Sequence, residues 1–138
     1  MQQVLVTAMA EVMRDLVDTS GLRPRVADHQ WSDVPGQLTA TLYGLDGSGQ
    51  GVYVLAGESL PVRIASLANQ VQDWAVEELW REGRPATWPE CPHHPGSHPL
   101  AAVVDGERAV WRCPKSGRVF AEIGSLDQDL LTDTPVDI

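Results

Sequence analysis

Two short turns carry the residues of this chain best suited to chemistry: Cys91-Pro92-His93-His94 and Cys113-Pro114-Lys115-Ser116-Gly117, with a strand-like alternating stretch between them. A zinc ion takes about four nitrogen or sulfur donors in a tetrahedron. A tight Cys-Pro-x-His turn facing a second cysteine turn across a hairpin supplies most of such a site. The chemistry to expect is therefore metal binding.

The order of first turn, strand, Asp105-Gly106, strand, second turn and strand resembles a zinc ribbon, whose usual form has Cys-Pro-x-Cys knuckles at both ends of a β-hairpin. The resemblance covers the C-terminal third of the chain. It departs from the pattern where His94 replaces the second cysteine of the first knuckle, and where Ser116 stands at the last cysteine position of the second. Serine is a poor zinc ligand, so another donor is needed. His98 is the best substitute, because Pro95-Gly96-Ser97 can turn the chain back toward Cys91 and His94. Neighbouring side chains in an extended turn point apart, so only one of His93 and His94 is expected to ligate, and His94 has the knuckle spacing. The expected set is Cys91, His94, His98 and Cys113, a closed Cys2His2 shell in which two thiolates neutralise a structural zinc.

Bland readings stand beside this one. The turns could have kept proline and glycine for backbone shape while losing the metal, the two cysteines could form a disulfide, or the histidines could be polar loop residues. An enzyme reading takes Cys91, His94 and Cys113 as ligands, with water in the fourth place and Glu90 as general base, which would make a zinc hydrolase. Glu90 is by default a solvated acid. His98 separates the two, since chemistry requires an open position.

A net charge of -9 repels phosphate backbones and anionic lipid, so nucleic-acid binding and membrane association are disfavoured. Arg112, Lys115 and Arg118 form the one basic strip, beside the second turn, and would carry any nucleic-acid role. With 43% hydrophobic and 21% charged residues the chain is expected to fold rather than remain disordered. The opening Met1-Gln2-Gln3-Val4-Leu5-Val6 has neither a basic leader nor a long apolar core, so a cytoplasmic location is expected, where free cysteines fit metal binding better than a disulfide. One lysine against many arginines suggests a GC-rich bacterial gene.

The elements that must position the turns follow from periodicity. Val4, Leu5, Ala8, Met9, Val12, Met13 and Leu16 recur at helical spacing from Gln2 to about Val17, with Glu11, Arg14 and Asp15 falling between them, and Gly21 marks the stop. Leu38 to Leu45 and Gly51 to Ala56 read as strands of a hairpin through Asp46-Gly47-Ser48-Gly49-Gln50, with a candidate extra strand near Val26. That glycine-rich link lacks the Lys-Ser/Thr of a phosphate loop and the acidic ladder of a calcium loop. A second helix should begin after Pro61, or with Ser66 as its cap, carry Ile64, Leu67, Ala68, Val71, Trp74, Ala75 and Leu79, and close at Gly83 and Pro85. Five prolines between Pro85 and Pro99 give an extended connection. Strands then follow at 100–104, 109–112 and 118–123.

The expected class is α+β: an α-β-β-α layer, with room for one more strand, over residues 1–86; a three-stranded zinc-ribbon-like module over 87–126; and an acidic flexible tail over 127–138. The five tryptophans, Trp31, Trp74, Trp80, Trp88 and Trp111, are assigned to core and inter-module packing rather than to base stacking. No Gly-x-Ser-x-Gly elbow occurs in a strand-turn-helix setting, and His29 beside Asp28 reads as loop. The functional expectation is a small non-enzymatic zinc protein of adaptor, accessory or immunity type, acting on an unknown protein partner.

Overall fold

The computed structural model describes residues 2–127, which form two helices and two three-stranded antiparallel sheets in a mixed α+β arrangement. Most of the expected acidic tail lies outside the described residues.

Helix α1 (Gln3–Ser20) buries Leu5, Ala8, Met9, Val12 and Leu16 on one stripe. It runs past Val17 because the hydroxyls of Thr19 and Ser20 donate to the carbonyls of Asp15 and Leu16, and the Gly21 N–H then closes the end on the Val17 carbonyl. Strands β1 (Arg25–Ala27), β2 (Gln37–Tyr43) and β3 (Gly49–Leu55) form the first sheet in that order, β1 being the additional strand near Val26. The β2–β3 link is a turn in which Asp46 Oδ1 accepts from both the N–H and the hydroxyl of Ser48.

Helix α2 (Leu60–Arg81) starts earlier than its sequence suggested. Ser59 is the cap, accepting from Val62 N–H at 3.4 Å, and Pro61 occupies the first turn, where a missing N–H costs nothing. Ser66 lies inside the helix. Strands β4 (Ala101–Asp105), β5 (Arg108–Arg112) and β6 (Val119–Glu122) form the second sheet. The register of β5 with β6 slips between Trp111 and Arg112. One cluster of buried apolar side chains runs from Leu5 and Leu16 through Leu42, Val54, Val71 and Trp74 to Leu100, Trp111, Ile123 and Leu126. Apolar burial is the main stabilising term, and this continuous cluster ties both sheets to α2.

Three tryptophans pack as expected: Trp74, Trp88 and Trp111 are buried, the last two edge to face at 5.3 Å. Two do not. Trp80 is 73% exposed because it follows buried Leu79 on α2 and so points about 100° away from the core, and Trp31 is 42% exposed, lying across Gly51 on the outer face of the first sheet.

Asp15 corrects a second expectation. It is fully buried, since its step from Ala8 and Val12 keeps it on the apolar stripe of α1. Its carboxylate accepts from Trp111 Nε1 at 2.8 Å, Gly124 N–H at 2.7 Å and Leu126 N–H at 3.0 Å, fastening the chain after β6 to the first helix. Gly124 sits at φ 105°, a backbone conformation that favours glycine, with the Glu11 carboxylate packed against its Cα. Burial raises the Asp15 pKa from 3.8 to about 6 against these three hydrogen bonds, with the nearby Glu11 charge adding to the rise.

Because the folded pKa lies above the unfolded one, folding takes up a proton between them. The contribution is most favourable below about pH 4 and is lost as pH rises through about 6, a change of about 3 kcal/mol. We expect unfolding free energies of the wild type to fall by about this amount relative to Asp15→Asn across that window. A difference independent of pH would refute it. The variant itself should lose about 1–3 kcal/mol, since one amide oxygen must serve three donors.

Candidate metal centre

The Pro-rich connection is pinched into a closed loop. Leu100 N–H donates to the Pro89 carbonyl at 2.7 Å and Cys91 N–H to the His98 carbonyl at 3.3 Å, while Glu90 and Pro99 form an isolated bridge. Inside the pinch, His94 N–H reaches the Cys91 carbonyl and Ser97 N–H the His94 carbonyl, giving two successive turns. The Glu90 carboxylate accepts from Gly96 N–H at 2.6 Å, so the residue considered as a general base is a brace of this loop.

Cys113 arrives from the end of β5. Its N–H bonds to the Arg118 carbonyl at 2.8 Å and its carbonyl accepts from Gly117 N–H at 2.9 Å, a tight turn for which Gly117 takes φ 78°. The Ser116 N–H points at Cys113 Sγ from 3.4 Å. The serine at the altered knuckle position thus polarises the sulfur through its backbone.

The donor atoms of Cys91, His94, His98 and Cys113 all lie within 4.8 Å of one another, a cluster that could hold a metal ion. His94 Nδ1 is 3.4 Å from Cys91 Sγ, 3.5 Å from Cys113 Sγ and 3.0 Å from His98 Nε2. His98 Nε2 is 3.8 Å from Cys113 Sγ. A proton on one ring nitrogen can serve only one of the three atoms facing His94 Nδ1, whereas a central cation serves all of them. His98 Nδ1 lies 2.9 Å from the Pro99 carbonyl, so it is the protonated nitrogen, and Nε2 presents its lone pair to the cluster. Both sulfurs are buried and both imidazoles are partly buried.

His93 is turned away. Its ring meets Phe120 edge to face at 4.9 Å, and its Nε2 is 3.3 Å from Arg118 Nη1. The basic strip is partly engaged: Arg118 lies 5.0 Å over the Phe120 ring and Lys115 Nζ donates to Ser97 Oγ. His29, elsewhere, meets Thr41 Oγ1 on the outer face of the first sheet.

Sequence reasoning missed the supports: the Pro99 carbonyl, the Glu90 brace and the Asp15 fastening behind Trp111. An acid spaced to fall on the apolar stripe of α1 was the available signal for the last. Comparison with protein-family models, curated proteins and solved structures finds no match for this chain.

The two thiols differ. Burial pushes Cys91 above its ordinary 9.0, against the N–H groups of His93 and His94. Burial also acts to raise Cys113, but the Ser116 hydroxyl and N–H, the Lys115 N–H and the Cys91 thiol outweigh it and bring it to about 6. Metal-free protein near neutral pH should therefore show about one thiolate per chain by its ultraviolet absorbance. That signal should be absent from a Cys91→Ser, Cys113→Ser double variant, and a metal-free wild type with no thiolate near neutral pH would contradict the lowered titration of the pair.

Proposed function

We propose that this is a small bacterial zinc protein in which Cys91, His94, His98 and Cys113 hold a structural ion in a zinc-ribbon-like setting, and that it acts through contact with a partner protein as an adaptor, accessory or immunity-type factor. The observation that carries the metal reading is the convergence of four nitrogen and sulfur donors from two separate loops.

Zinc suits the set. For Zn–S near ~2.3 Å and Zn–N near ~2.0 Å, a regular tetrahedron has donor separations of about 3.3 Å between nitrogens and about 3.5 Å between sulfur and nitrogen. The nitrogen–nitrogen separation of 3.0 Å and the sulfur–nitrogen separations of 3.4, 3.5 and 3.8 Å lie within about 0.3 Å of these values. Two thiolates cancel the dication, so a buried site carries no net charge. Four protein donors fill a tetrahedron and leave no vertex for an activated water, which favours a structural ion over a hydrolytic one. The net charge of -9 favours a protein partner over nucleic acid. No described helix is long and apolar enough to cross a membrane. A cytoplasmic location suits free, metal-ligating thiols.

Elemental analysis of protein purified without added metal should give about one zinc per chain, falling sharply in Cys91→Ala, Cys113→Ala and His98→Ala and unchanged in His93→Ala. Chelation should lower stability by about 4 kcal/mol or more, the linkage expected for a site loaded at a thousandfold over its Kd. Full stability after chelation, or a Cys91–Cys113 disulfide in the purified protein, would overturn the metal reading. Ester, amide or nucleotide turnover lost both on chelation and in Glu90→Gln would replace it with the hydrolase.

A further inference from the structure

Trp80 is the most exposed aromatic side chain among the described residues, at 73%, and nothing in the fold or the metal centre uses it. It forms one wall of a cleft of about 340 Å3, shared with Val76, Glu77 and Ala86. A tryptophan standing free beside small apolar side chains is the residue type that anchors protein interfaces.

The charge around it selects a partner. Asp73 and Glu77 lie seven and three residues before Trp80, so the helical period puts them on the same face of α2, and both are exposed. Neither pairs with a cation among the described residues. The cations of this end of the helix are already committed: Arg81 to Glu78 at 2.6 Å and Asp46 at 3.6 Å, Arg84 to Glu82 at 3.1 Å and to the Ser20 carbonyl at 2.8 Å. The face therefore joins uncompensated carboxylates to an open indole, the combination that holds an ammonium or guanidinium by ion pairing and by cation–π contact together. The charge of -9 over the whole chain steers such a partner in the same direction.

We propose that the Asp73, Glu77 and Trp80 face of α2 docks a lysine- or arginine-rich segment of a partner protein, with the indole as its anchor. This deepens the protein-contact part of the proposed function and rests on it; it is independent of the metal, whose donors all come from other elements. A second copy of this chain is the poorer occupant. A two-fold contact through this face would set the carboxylates of one copy against those of the other.

The test uses the full chain and a fluorescent peptide of alternating arginine and alanine, with alternating glutamate and alanine as its counterpart, and zinc content measured in every sample. The basic peptide should bind and the acidic one should not. Trp80→Ala should weaken binding at least about tenfold, Asp73→Asn with Glu77→Gln about three- to tenfold, and salt near 1 M should abolish it. Since all three side chains are exposed, helical content and zinc content should stay at wild-type values, and Trp31→Phe should bind normally. Absent binding, or equal binding by Trp80→Ala, would overturn the proposal whatever the zinc content. A concentration-dependent dimer lost in Trp80→Ala would overturn it in favour of self-association. Zinc-free protein that still binds in a Trp80-dependent way would support this face while removing the metal reading.

Discussion

Each three-stranded sheet has an apolar face to bury and open edges, and α2 packs against both sheets while its side chains bond to the β3 edge of one and the β4 edge of the other. Its apolar residues Ile64, Leu67, Val71, Trp74 and Leu79 enter the common core. The run Asn69-Gln70-Val71-Gln72 shows how one helix serves two sheets. Val71 points into the core, and the amides on either side of it reach backbone in opposite directions. Gln70 accepts from Tyr53 N–H at 2.9 Å and donates to the Tyr53 carbonyl at 2.8 Å, standing in for a fourth strand beside β3. Gln72 donates to the Leu100 carbonyl at 2.8 Å and Asn69 to that of Ala102 at 3.4 Å, on the entry to β4. The contacts to Leu100 and Ala102 satisfy carbonyls in partly buried surroundings, and those to Tyr53 occupy backbone groups on the solvent-facing edge of β3.

The metal centre inherits its position from this arrangement. Three of the donors sit in the loop that ends at Leu100, the residue Gln72 holds, and the fourth follows β5, which also packs on α2. Within the loop, the pinch from Pro89 to Leu100 and the Glu90 brace fix the backbone before any ion is considered. The ordering entropy of a loop is of order 1–2 kcal/mol per residue, so donors held by hydrogen bonds of their own leave less of that cost to metal binding.

Much of this was legible in sequence. The helical and alternating periods gave both helices, the hairpin and the three later strands, and the Cys-Pro turns with Pro95-Gly96-Ser97 gave the grouping of Cys91, His94, His98 and Cys113. Those signals are local, and local rules carry them. What escaped was decided across the fold. Ser59 and Ser66 are both acceptable caps, and only the chain's entry into α2 selects between them. The amides of Asn69, Gln70 and Gln72 look like ordinary surface residues until strands are laid beside them.

Asp15 shows why a charge survives in such a core. An apolar side chain there would avoid the ionisation penalty of about 3 kcal/mol but would leave Trp111 Nε1, Gly124 N–H and Leu126 N–H without partners. Each buried orphan donor costs about 1–3 kcal/mol, so the three together match or exceed what the carboxylate costs. The balance is close in energy and one-sided in geometry. Two carboxylate oxygens can face three donors from β5 and the turn after β6, and no apolar group can. The acid on α1 thereby fastens the turn after β6, and it holds Trp111 two residues before Cys113, so that turn and the metal turn are registered against each other through α1.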